Sequence, residues 1–191
     1  MNRGPTFAST EEHRARVGDL DFWWPHLRAI LDRHGLTDAR HEPVAGYNVT
    51  YPTFVYGEVV VKLFGYSSFW RAGYAAEQAA YALLATDPEI AAPRVHATGR
   101  VADGGEDDGD ADAADTWAYL ITSRMPGVAS WRVELSDAQW IDLATALGQQ
   151  VQRLHALPPI GVATYAAWSP PPIGVAAARS SLPPHLVVRQ S

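Results

Sequence analysis

The chain has 191 residues, 47% of them hydrophobic and seven of them tryptophan, with no cysteine and a formal net charge of −6. That is enough for one ordinary domain with a buried core, and it excludes disulfides and thiolate metal sites. The negative balance is local: Asp103, Glu106, Asp107, Asp108, Asp110, Asp112 and Asp115 stand together without a basic neighbour, and the rest of the chain is close to neutral. No basic surface for nucleic acid is expected. The acidic run reads as a solvated loop over 102–115, not a calcium loop, because its acids lack the EF-hand spacing. No apolar run approaches the roughly 20 residues of a membrane span, and the N-terminus lacks the apolar core of a signal peptide. The sequence therefore reads as soluble and cytoplasmic, with neither membrane nor nucleic acid as partner.

Residues 1–18 carry mixed charge and little periodicity and are expected to be poorly ordered. A helix follows, with Asp21 as cap, Pro25 in the first turn, an apolar face of Phe22, Trp23, Leu27, Ile30 and Leu31, and Gly35 as stop. Arg40 to Ala45 reads as a weak edge strand, since Pro43 interrupts it, and Gly46, Tyr47 and Asn48 make a turn. Asn48 to Val55 and Val59 to Phe64 are the next two strands, joined through Gly57 as a hairpin. Ser67 to Ala85 has helical periodicity, and Arg94 to Val101 and Thr116 to Ser123 are strands on either side of the acidic loop. Ser136 and Gln139 form a capping box ahead of a helix whose apolar positions Trp140, Leu143, Leu147, Val151 and Leu154 keep helical spacing to Leu157. Residues 158–191, rich in proline and free of Asp and Glu, read as irregular.

The strand ending at Phe64 holds the only lysine of the chain. Alternation puts Val59, Val61 and Leu63 on one face and Val60, Lys62 and Phe64 on the other, so Lys62 lies on a face that is otherwise apolar. A charge there either reaches water or meets an opposite charge. In the following helix Trp70, Tyr74, Tyr81 and Leu84 mark one buried stripe, and Glu77 falls in it, three residues after Tyr74 and four before Tyr81. Each charge has an ordinary surface alternative, but together they predict an ion pair between strand and helix.

The succession Gly46-Tyr-Asn48-x-x-Tyr51, Val60-Val-Lys62-Leu, Glu77 in a helix, Tyr119-Leu-Ile-Thr-Ser-Arg-Met-Pro-Gly127 and Leu147-Gly-x-x-Val-x-x-Leu154-His155 resembles the aminoglycoside phosphotransferase family, which has a protein-kinase-like fold. The resemblance covers about residues 41–157. It implies an α+β, kinase-like N-terminal lobe over 19–127, with about five antiparallel strands and one packed helix. A linker and the first long helix of a C-terminal lobe would occupy 128–157.

The resemblance also assigns roles. Lys62 would contact the α- and β-phosphates of ATP, held by Glu77, and Val60 would touch the adenine. Gly46 and Asn48 would belong to the loop over the phosphates, although the single glycine departs from the kinase pattern and an ordinary hairpin turn reads equally well. Thr122 would stand at the back of the adenine pocket, with Ser123 and Met125 offering backbone groups to the base. Phosphoryl transfer also needs a carboxylate base and magnesium ligands, which the family carries after the long helix in a His-Gly-Asp motif, a downstream Asn and a later Asp. Here the last acidic residue is Asp142. No catalytic residue and no magnesium ligand can be assigned, and His155 closes the helix as a structural residue. The expectation is an ATP-dependent phosphotransferase acting on a small hydroxylated, aminoglycoside-like acceptor, but truncated and inactive alone, with a non-catalytic nucleotide-binding or interaction module as the alternative. An acceptor would be a partner only if a C-terminal lobe were supplied.

Overall fold

The computed structural model describes residues 4–46, 50–101, 117–128 and 132–158. Asn48, the acidic loop 102–115 and residues 159–191 lie outside the described residues. Among the described residues nine elements follow one another: α1 (Thr10–Arg16), α2 (Leu20–Arg33), β1 (Val44–Ala45), β2 (Thr53–Tyr56), β3 (Val59–Phe64), α3 (Trp70–Leu84), β4 (Val95–Arg100), β5 (Ala118–Ser123) and α4 (Asp137–Ala156). The strands form one antiparallel sheet in the order β1-β2-β3-β5-β4. This is the α+β, kinase-like lobe that the sequence predicts, and among the described residues no helix is long and apolar enough to cross a membrane.

The sheet is covered on both faces, and β3 explains why. Val59, Val61 and Leu63 point to the side where Trp23, Leu27, Ile30 and Leu31 of α2 close a dry core with Phe54, Tyr56, Trp117, Tyr119 and Ile121. Phe64 points the other way and meets Trp70 of α3, Ala118 and Leu120, with Tyr51, Tyr74 and Tyr81 at the margin. Two-residue periodicity in the strand thus meets a helical stripe on each side. The β2–β3 hairpin turns at Gly57, whose φ of 55° suits a residue without Cβ.

Four expectations differ from the structure: the edge strand expected over Arg40 to Ala45 is only Val44–Ala45, and three others follow. Residues 7–17, expected to be poorly ordered, carry α1, capped by Ser9, and they pack through Phe7, His13 and Val17. Trp117 Nε1 donates to the Pro5 carbonyl at 2.8 Å, which ties this segment to the sheet. Asp19, not Asp21, caps α2: it accepts from the Phe22 amide at 3.1 Å and pairs with Arg16. The helix therefore begins earlier, and Pro25 lies inside it instead of in its first turn. Finally, β2 begins at Thr53 instead of Asn48, just after Pro52, which has no amide to give a ladder.

Helix α4 has the predicted capping box of Ser136 and Gln139. It meets the connection between α3 and β4 through polar contacts. Arg153 pairs with Glu89 at 2.7 Å and Asp87 at 3.5 Å, and Gln150 accepts from the Ala91 amide at 2.8 Å. Its apolar positions are open, with Leu147 61% and Ile141 66% exposed.

Candidate nucleotide site

Lys62 owes its direction to the register of β3. It stands opposite Thr53 of β2 and Leu120 of β5, so its side chain leaves the sheet on the α3 side. Glu77 reaches the same space from the second turn of α3. The two meet: Lys62 Nζ donates to Glu77 Oε2 at 2.6 Å, and each side chain remains about a quarter exposed, at 28% and 25%. The ion pair is therefore neither stranded in the core nor free on the surface, and one side of it stays open to a further anion.

Two adjacent aromatic rings lie beside the ammonium. Lys62 Nζ lies 5.1 Å from the ring centre of Phe64 and 5.4 Å from that of Tyr51, and the rings are 4.8 Å apart. Their negative faces favour a cation over them. The Tyr51 phenol is raised above its usual range, first by burial and then by the charge of Glu77, and Tyr81 is raised for the same two reasons. Tyr51 had no role assigned from the sequence beyond its place in the Gly46 motif. Its signal was an aromatic residue two positions before a strand, which by itself says nothing of which side chain it would meet.

The remaining predicted residues fall around this pair. Val60, half-buried, stands opposite Thr122, which is 5% exposed. Since directly opposed residues share a face, Val60, Lys62 and Thr122 look the same way. Ser123 donates its backbone amide to the Arg94 carbonyl at 2.8 Å, and its hydroxyl accepts from the Arg94 amide at 2.9 Å. Of its two backbone groups only the carbonyl could therefore serve a base. Met125 is 41% exposed. It lines a cavity of about 620 Å³ between the end of α3 and β4 with Tyr81, Leu84, Ile90, Val95 and Thr98, a space that does not include Lys62 or Val60. Gly46 follows the edge strand and gives its amide to the Thr53 carbonyl at 2.8 Å, so that the chain turns back at this point.

An ammonium with one open side suits a phosphate, and the apolar Val60 beside it suits a flat ring. The described residues do not suit magnesium in the same way, because no three His, Asp or Glu side chains among them come together as a metal site needs. A five-stranded antiparallel sheet whose central strand sends a lysine to a helix glutamate is the arrangement of a kinase-like N-terminal lobe. A model of the phosphotransferase enzyme family matches residues 47–182 of the sequence, and the chain belongs to that family, the family of the aminoglycoside phosphotransferases. The match runs past α4, beyond the stretch 41–157 that carried the resemblance in the sequence.

Proposed function

We propose that this protein binds ATP through its kinase-like lobe as part of phosphoryl transfer to a hydroxyl group of a small, aminoglycoside-like molecule. The observation that carries the reading is the Lys62–Glu77 pair at 2.6 Å on the face that also holds Val60 and Thr122. Lys62 would hold the α- and β-phosphates, and Glu77 would fix the direction of its ammonium. Val60 and Thr122 would enclose the adenine, with the Ser123 carbonyl and the Met125 backbone at its edge. Gly46, and Asn48 with it, would form the turn above the phosphates. ATP, when bound, supplies the transferable phosphoryl group.

The step itself asks for a carboxylate to take the proton of the acceptor hydroxyl, and for magnesium ligands. No Asp or Glu follows Asp142 in these 191 residues, whereas the family places those groups after the long helix. We therefore expect these residues to bind nucleotide without turnover, and transfer to require carboxylates from outside them. Titration calorimetry with ATP and magnesium tests the reading. Binding that is lost in Lys62→Ala supports it; no binding, or binding that Lys62→Ala leaves unchanged, overturns it.

A further inference from the structure

Gly73 sits in the middle of α3, where glycine is a poor helix former. Space explains it. A Cβ at this position would lie 2.7 Å from the Tyr51 hydroxyl oxygen, so the phenol rests against the helix backbone where any side chain would push it away. Gly73 is one turn before Glu77 on the same side of the helix. The Lys62 ammonium lies over the Tyr51 ring, which packs on Phe64, itself fully buried and held in place by Trp70 and Leu120. One ring thus spans the gap between the strand that carries the lysine and the helix turn that leads to its partner.

The ion pair by itself does little to fix the lysine. Its long side chain has many rotamers, and a pair open to water on one side is weakly held. Phe64 alone gives the ammonium a single ring to rest on, and Tyr51 lies directly beside it. We propose that Tyr51 is a positioning residue that extends the Phe64 ring into a continuous aromatic wall, confining the Lys62 ammonium against Glu77, with Gly73 as the notch that admits it. The inference rests on Lys62 being the phosphate contact for its functional meaning, but not for its geometry. Tyr51 does not touch the reacting atoms; it sets where Lys62 can be.

Because the chain has a single lysine, labelling the full-length protein with ¹³C-lysine gives one Cε–Hε NMR signal, which reports Lys62 without modifying it. In the wild type this signal is expected to be displaced upfield of free lysine by the two ring currents. Tyr51→Ala and Tyr51→Leu both remove about half of the displacement, as expected when one of two adjacent rings is lost. Tyr51→Phe retains it. Tyr51→Leu keeps apolar bulk, so it covers the case in which the alanine variant fails to fold. Gly73→Ala, which leaves the ring chemistry intact but fills the notch, is expected to move the signal in the same direction as Tyr51→Leu. A signal that Tyr51→Leu leaves in place, or one that Tyr51→Phe moves as far as Tyr51→Leu does, overturns the proposal. Affinity for ATP with magnesium is expected to fall about tenfold in Tyr51→Leu, the size of a desolvated cation–π contact, and about twofold at most in Tyr51→Phe. If the wild type shows the NMR pattern and binds no ATP, the nucleotide reading fails and the positioning role of Tyr51 stands.

Discussion

The two faces of β3 are made by the same six residues and do different things. On the α2 side Val59, Val61 and Leu63 are 7%, 1% and 0% exposed and pack into a cluster of apolar and aromatic side chains. On the α3 side Phe64 is equally buried, but Lys62 and Glu77 keep about a quarter of their side chains in water, and Val60 and Tyr51 are only half covered. Strict alternation lets one strand anchor the lobe with its odd positions and offer a charged cleft with its even ones. The difference says where each kind of damage should show. Substitutions on the α2 side should cost stability, and substitutions on the α3 side should cost binding.

The largest expected effect is therefore on the α2 side. Trp23 is fully buried, touches Trp117 with ring centres 5.0 Å apart, and donates its indole N–H to the Arg16 carbonyl at 2.7 Å. Trp23→Ala should destabilise the fold by about 3–5 kcal/mol, through lost burial and the cavity left behind, read as a fall in the guanidinium midpoint. A smaller loss is expected from overfilling the same core. A Cβ at Gly65 would lie 2.1 Å from the Trp117 ring, and an indole between the sheet and Pro5 has nowhere to retreat, so Gly65→Ala should cost about 1–3 kcal/mol. If either change left the midpoint in place while abolishing ATP binding, the division between the faces would be wrong.

How much of this was legible in the sequence follows the same division. β3 and α3 could be read because glycines bound a β-branched run and because aromatic residues recur at helical spacing. The Lys62–Glu77 pair followed from asking what a charge on an apolar face must meet. The packing of α1 could not be read. Phe7, His13 and Val17 are too few to make a periodic stripe, and their partners, Tyr66 and Trp117, are remote in the chain. The start of α2 was misplaced because Asp19 and Asp21 are both good caps. Only the fold shows that Asp19 also has Arg16 beside it. Tyr51 was missed because the side chain it meets is set by how the strand approaches the sheet, and no local pattern encodes that.

His13 tests how dry the α2 side is. Its ring stacks on Tyr66 at 4.5 Å and meets Phe7 edge-on at 5.0 Å, and its Nε2 is buried without a hydrogen-bond partner. Burial holds this imidazole below its ordinary value of 6.5, because the charged form would have to leave water. The unfolded chain then takes up a proton before the folded one does. The contribution of His13 is whole above about pH 6.5 and declines as the pH falls from there toward the folded value. Urea midpoints should drop over that window in the wild type and less in His13→Phe. An equal drop in both would mean that the ring is already wet.

The smallest change in stability should come from Lys62, the residue proposed to hold the phosphates. An ion pair with about a quarter of each side chain exposed has only part of the strength of a buried one, because water screens it and two long side chains must be held still. Lys62→Met keeps the stem that packs near Phe64 and Tyr51 and removes the charge. It also leaves Glu77 without its partner, but with enough access to water for the carboxylate to be solvated. The urea midpoint should therefore stay within about 1 kcal/mol of the wild type, while ATP binding disappears. Were Lys62→Met instead as damaging as Trp23→Ala, the pair would belong to the core, and the α3 face would be a second structural face with no cleft to offer.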